Sequence, residues 1–166
     1  MPDKKVALVI GATGIVGGNM IRHLDGKDDW EVIGLSRRKP YYDSTATFIS
    51  VDLSDRGDCQ AKLGNLDQIT HVFFAGYTDA PTWAEQDAPN LALLANPMAV
   101  IEPIAKGLAH VCSLQGTKSY GSHLGPFKSP AKERNPRHMP PNFYFSQQDY
   151  LIERSQGKNW SWSCLR

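Results

Sequence analysis

Glycine recurs at every third position in Gly11-Ala12-Thr13-Gly14-Ile15-Val16-Gly17, directly after the apolar run Val6–Ile10. That juxtaposition constrains the fold more than any other feature of the chain. A short continuous apolar run is the pattern of a parallel strand covered on both faces. Behind the first glycines, Ile15, Val16, Met20, Ile21 and Leu24 recur at helical spacing, and Gly26 stands where a helix would stop. Strand, glycine turn and helix in immediate succession are the context that a dinucleotide-binding turn requires. Gly11 permits the tight turn, Gly14 lets a pyrophosphate approach the backbone, and Gly17 lets helix pack closely on strand. Exposed N–H groups and the helix dipole at Gly14, Ile15 and Val16 favour diphosphate charge, with Thr13 in the same candidate set. The alternative is a glycine-rich turn with no ligand. A P-loop is excluded, because no Gly-Lys-Ser/Thr follows.

The rest of the chain continues the alternation. Glu31–Ser36 reads as a second strand, Thr47–Val51 as a third, His71–Ala75 as a fourth, Leu108–Leu114 as a fifth and Trp160–Leu165 as a sixth. Helical segments are expected through Ala61–Leu63, over Thr82–Asn96 and over Phe143–Arg154. Pro97 and Pro103 lie in the continuation of the second of these, where an interior proline costs about 3 kcal/mol. A kink or two shorter helices are therefore expected there. Gly116–Pro141 reads as a long ordered loop or lid. Strands separated by helices imply a Rossmann-like doubly wound parallel sheet with helices on both faces, built as one NAD(P)-binding domain over residues 1–166.

Cofactor choice is expected at the end of the second strand. An NAD-selective site carries an acidic residue there for the ribose hydroxyl. This chain has Ser36-Arg37-Arg38, and two guanidinium groups beside a small hydroxyl suit a 2′-phosphate. The expectation is NADP(H), with a solvated basic turn extended by Lys39 as the alternative. Asp52-Leu53, closing the third strand, lies where an adenine would sit. Asp52 could accept from its exocyclic amine or cap the following helix.

Composition removes other classes. The chain has 166 residues, 18 Lys+Arg against 17 Asp+Glu, and a net charge of +1, so no basic field draws it to nucleic acid or acidic membrane. The longest apolar runs, Val6–Ile10 and Leu91–Ala95, fall far short of the ~20 residues that cross a bilayer. Met1–Lys5 with so brief an apolar run behind it fails as a secretory signal. Three widely spaced cysteines without a CxxC make a reduced cytoplasmic protein the simplest reading. The five histidines lack metal-ligand spacing, and no Gly-x-Ser-x-Gly elbow appears. Lys128, Lys132, Arg134, Arg137 and His138 form a basic, proline-punctuated stretch read as a solvated lid.

No tyrosine is followed four residues later by lysine: Tyr144 meets Gln148, Tyr150 meets Arg154 and Tyr120 meets Leu124. The ordinary Tyr-x-x-x-Lys arrangement of short-chain dehydrogenases is therefore absent. Instead, Gly116-Thr117-Lys118-Ser119-Tyr120 precedes Gly125-Pro126-Phe127, then Asn142-Phe143-Tyr144-Phe145, then Trp160-Ser161-Trp162-Ser163. In this order the motifs resemble the progesterone 5β-reductase/iridoid synthase-like group of atypical extended short-chain dehydrogenase/reductases. The resemblance runs from Val6 to Arg166. It implies NADPH-dependent reduction of an activated enone or carbonyl in a small-molecule substrate. Lys118 and Tyr144 are implied as catalytic residues, and Phe127 as part of an apolar substrate wall. By composition alone, Tyr144 reads as a half-buried helix aromatic and Lys118 as a surface cation. The chain departs from the group's pattern at Phe145, at Gln148-Asp149 and in the longer stretch Gly121-Ser122-His123-Leu124 before Gly-Pro-Phe.

The resemblance also implies a substrate-completing part beyond Arg166. A different class of protein, a nucleotide-binding module without catalysis, is the second reading. Trp160, Trp162 and Cys164 alternate onto one strand face. The expectation is exposed apolar surface there, covered by self-association.

Overall fold

In the computed structural model, which describes residues 4–166, the first apolar run forms β1 (Lys5–Ile10), buried at every position from Val6 onward. Met1–Asp3, at the head of the segment judged not to be a secretory signal, lie outside the described residues. β1 is flanked on both sides. Six strands, β1, β2 (Trp30–Ser36), β3 (Thr47–Ser50), β4 (His71–Phe74), β5 (His110–Leu114) and β6 (Ser161–Leu165), form one sheet in the order β3-β2-β1-β4-β5-β6. Every pairing is parallel. This is the doubly wound order, whose direction of winding reverses between β1 and β4.

Alternation along β1 divides the core. Ala7 and Val9 face one side, packed with Ile21 and Leu24 of α1 (Ile15–Asp25) and with Val32. Val6, Leu8 and Ile10 face the other. There they meet Leu63 of α2 (Arg56–Leu63), Leu94, Met98 and Ile101 of α3 (Trp83–Ile104), and Leu151 of α4 (Phe143–Ser155). Helices thus lie on both faces, and a single strand residue shift would exchange the two sets.

α3 corrects the expected break. It continues for 22 residues through Pro89, Pro97 and Pro103, opened by a capping box between Thr82 and Glu85. Gln86, Asn90, Leu94, Met98 and Ile101 form one buried stripe along it. Burial of that stripe against sheet and α4 outweighs the amides that the prolines lack. The face of β6 is a second correction. Trp160 is 7% exposed, and Trp162 and Cys164 pack against the same core cluster as Leu151 and Tyr150. The expected exposed apolar face is therefore covered within the chain, by the core cluster to which α4 contributes Leu151.

The close approaches that position the first turn leave no room for side chains. A Cβ on Gly17 would lie 2.2 Å from the Gly11 carbonyl oxygen, whereas one on Gly26 would meet nothing within 4 Å. Gly17→Ala is expected to lower the unfolding free energy by about 1–3 kcal/mol, the range for overpacking, while Gly26→Ala stays near the native value. Denaturant unfolding of the two variants measures this, and equal stabilities would contradict the packing role of Gly17.

Candidate functional site

The carboxyl ends of β1, β2 and β4, with the segment after β3, open onto a groove of about 460 Å³ at the point where the strand order reverses. One end is the glycine turn. Gly11 adopts φ +86°, and a Cβ there would lie 2.6 Å from the Ala75 carbonyl oxygen, so the turn rests directly on the end of β4. Gly11 and Ala12 both donate to the Leu35 carbonyl, at 3.1 and 3.0 Å. Gly14 is the N-cap of α1 and offers no side-chain acceptor to the first helical turn. Those amides are left to a ligand or to water.

Seven of the residues anticipated for a nucleotide line this groove: Gly11, Thr13, Gly14, Ser36, Arg37, Asp52 and Leu53. Gly17 packs against the turn instead. Ile15 and Val16 stand exposed at the start of α1, and Arg38 is exposed just outside the lining. The Ser36 hydroxyl donates to the Arg38 carbonyl, which shapes the basic turn, and neither arginine forms an ion pair among the described residues. Asp52 accepts from the Ser54 amide at 2.9 Å and from its hydroxyl at 2.6 Å. These bonds, with Arg37 nearby, hold its carboxyl below the usual carboxylate range. The helix cap falls to Asp55, which accepts from the Gly57 and Asp58 amides. Asp52 is therefore not the cap.

Ala75, Gly76, Tyr77, Thr78, Pro89 and Leu93 also line the groove, and no motif marks them. The place of Ala75–Thr78 follows from the β1–β4 pairing, and that of Pro89 and Leu93 from the docking of α3. Fully buried Asn90 clamps this wall, accepting from the Thr78 amide at 2.9 Å and donating to the Thr78 carbonyl at 2.8 Å. Gln147 of α4, also fully buried, donates to the Asn90 carbonyl at 2.9 Å. The groove wall, α3 and α4 are thus linked by side-chain amides in the interior.

The same kind of link joins the two anticipated catalytic residues. Asn142 caps α4 by accepting from the Tyr144 amide at 3.1 Å, and it donates to the Lys118 carbonyl at 3.0 Å. Lys118 lies on a short 3₁₀ turn, Thr117–Tyr120. A Cβ on Gly116 would stand 3.5 Å from the Tyr144 hydroxyl, placing that hydroxyl against the end of β5. The Lys118 ammonium lies 4.8 Å from the centre of the Trp83 ring and makes no hydrogen bond to Tyr144. Trp83 in turn packs on His123 at 4.1 Å and stacks on Phe143 at 5.9 Å. Burial raises the Tyr144 phenol above its ordinary value. Tyr144 is therefore a neutral hydrogen-bond donor near neutral pH. Phe127 stands exposed on the 121–142 loop, outside the groove lining. Arg137 fastens that loop to α4 through a bidentate pair with Asp149, at 2.7 and 2.6 Å. Among the described residues there is no cluster of three or more metal-ligating side chains, and no helix is long and apolar enough to cross a membrane.

Comparison with known proteins bears on the fold and the family. A family model described as a PRISE-like Rossmann-fold domain matches residues 50–166. The chain is 36% identical to the (S)-8-oxocitronellyl enol synthase CYC2 of Camptotheca acuminata, over 95% of this chain and 45% of that protein. It is 38% identical to the 3-oxo-Delta(4,5)-steroid 5-beta-reductase of Arabidopsis thaliana, over 90% and 42%. The chain thus spans less than half the length of these relatives. Among solved structures, the Bordetella bronchiseptica enzyme WbmG in complex with NAD shares the fold, with a TM-score of 0.76 at 19% identity over 99% of this chain and 53% of that one.

The raised Tyr144 phenol has a pH signature. The neutral form is favoured in the fold, so its contribution to stability is intact below about pH 10 and is lost as pH rises through the folded value. Difference absorbance between the native chain and Tyr144→Phe should therefore titrate above about pH 10. A midpoint below that would show Lys118, not burial, controlling the phenol.

Proposed function

The chain belongs to the PRISE-like Rossmann-fold family, and on that premise we propose that it is the NADP(H)-binding part of a reductase acting on an activated C=C or carbonyl substrate. The observation that carries this reading is one groove with the glycine turn at one end and Arg37 and Asp52 at the other. The residues fit a dinucleotide. The space where a Gly11 side chain would stand is filled by the end of β4, while Gly14 faces the groove and the amides of the first helical turn lack side-chain partners.

The Thr13 amide and those of the first turn of α1 would hold the diphosphate by backbone donation, with Gly14 leaving room for its approach. Arg37, with Arg38 beside it, holds a 2′-phosphate by charge and paired N–H donors. Leu53 would flank the adenine, and Asp52 would accept from its amine. The cofactor, when bound, supplies a hydride. Tyr144 donates a hydrogen bond to the substrate oxygen on which negative charge develops, a role its raised pKa suits because the phenol keeps its proton at neutral pH. Lys118 would stand near the ribose and orient the nicotinamide, and Asn142 sets the spacing between its turn and the Tyr144 helix. The relatives' printed names, an enol synthase and a steroid 5-beta-reductase, support an enone as the substrate class.

Arg37→Gln should weaken NADPH binding about ten- to a hundredfold, the worth of a charged hydrogen bond, with NADH affinity little changed. Fluorescence titration of both nucleotides measures this; a parallel loss would deny Arg37 the 2′-phosphate. Tyr144→Phe should lower enone-dependent NADPH consumption about 10²–10³-fold at nearly constant NADPH affinity. Unchanged turnover would remove Tyr144 from the chemistry. Tight NADPH binding with no consumption across an enone panel would favour a binding module instead.

A further inference from the structure

The strap from Arg37 to Ala46, between β2 and β3, returns across α1 and brings an aromatic side chain under the glycine turn. Tyr42 donates its hydroxyl to the Ala12 carbonyl at 2.7 Å. Its ring occupies the space over Gly18, where a Cβ would lie 3.1 Å from the Tyr42 Cε1 atom. The Arg22 guanidinium lies 5.3 Å from the ring centre, and Phe48 packs edge-on at 6.2 Å. The far end of the strap is tied to the end of α1. Ser44 and Thr45 donate their hydroxyls to the two carboxylate oxygens of Asp25. Tyr42 is therefore held from four sides, with its hydroxyl directed at one peptide of the turn.

That peptide is the one between Ala12 and Thr13. It is trans, so its carbonyl and its N–H lie in one plane and point in opposite directions. Holding the Ala12 carbonyl toward Tyr42 therefore turns the Thr13 N–H away from the strap. Thr13 lines the groove, and its N–H has no acceptor among the described residues. The neighbouring amides of the turn are committed elsewhere: Gly11 and Ala12 donate to Leu35, and Gly14 donates to Gly11 at 2.9 Å. Thr13 is thus the one turn amide before α1 left free for a ligand, and a residue thirty positions beyond Ala12 in sequence sets its direction.

We infer that Tyr42 is a positioning residue of the nucleotide site, whose hydroxyl fixes the Ala12–Thr13 peptide so that the Thr13 N–H is presented to the diphosphate of a dinucleotide. The inference rests on the dinucleotide reading of the groove. It adds a residue that touches no ligand and acts through backbone orientation. The strap that carries Tyr42 begins with Arg37 and Arg38, so the element expected to read the 2′-phosphate also braces the turn that receives the diphosphate. Glycine at position 18 belongs to this arrangement, because a side chain there would press on the Tyr42 ring.

Tyr42→Phe isolates the hydroxyl, since the ring can keep its place over Gly18 and beside Arg22. Two probes separate the turn from the basic strap: NADPH, which spans both, and adenosine 2′-monophosphate, which has no diphosphate. The variant should bind NADPH roughly two- to tenfold more weakly than the native chain, the worth of one hydrogen bond, with affinity for adenosine 2′-monophosphate unchanged. Equal loss for both probes, as general loosening of the fold would give, overturns the assignment, and so does loss for neither. The amide nitrogen resonance of Thr13 gives a readout free of ligand and of activity. It responds to hydrogen bonding at the preceding carbonyl, so it should shift in Tyr42→Phe, and an unmoved resonance overturns the clamp. A native chain that binds neither probe overturns the dinucleotide reading itself, an outcome distinct from native binding that Tyr42→Phe leaves untouched.

Discussion

Backbone meets backbone where β1 gives way to α1, and the rest of the molecule is arranged around that contact. Gly11 lies against the Ala75 carbonyl and Gly17 against the Gly11 carbonyl, at separations that admit no Cβ. Close packing of this kind brings the start of α1 down onto the sheet and leaves its first amides at the mouth of the groove. It also requires β4 beside β1, which is the strand order that reverses the winding. The ligand groove is thus a consequence of how the sheet is wound, with the glycines making the approach sterically feasible.

Elsewhere the site is held by side-chain amides in the interior. Asn90 fixes the groove wall at Thr78, Gln147 joins Asn90 to α4, and Asn142 joins the Lys118 turn to the start of the Tyr144 helix. Buried amides are costly when unpaired and directional when paired, so they set positions that apolar packing would leave loose. The result is a connected frame in which the anticipated donor, Tyr144, and the groove wall are positioned by the same two helices. Lys118 is the freer member, with its ammonium resting on Trp83 at the surface.

Much of this was legible beforehand. Short apolar runs rich in β-branched and aromatic residues locate all six strands, and 3.6-residue spacing locates α1 and α4, to within a few residues, because burial on one or both faces imposes those patterns directly. α2 begins five residues before the expected Ala61–Leu63. α3 was the exception. Its prolines argue locally for a break, but the stripe from Gln86 to Ile101 is buried against the sheet and α4, and that gain appears only once the partners are assembled. The apolar face at Trp160 and Trp162 likewise looked uncovered because its cover, Tyr150 and Leu151, lies on a helix whose docking a linear pattern does not show.

The chain's sequence by itself determined the turn, its strand and helix, the basic pair at Arg37-Arg38, and the ordered motifs that mark Lys118 and Tyr144. These are local signals: glycine where a Cβ cannot fit, charge where a phosphate would lie, and residue order within short segments. Only the tertiary structure decided which of those residues share a groove, that Ala75–Thr78 form its opposite wall, and that Asp55 rather than Asp52 caps α2. It alone brought Tyr42 beneath Ala12. The reason is the same in each case, since strand order and peptide orientation depend on contacts between residues far apart in the chain, and no spacing within one segment encodes them.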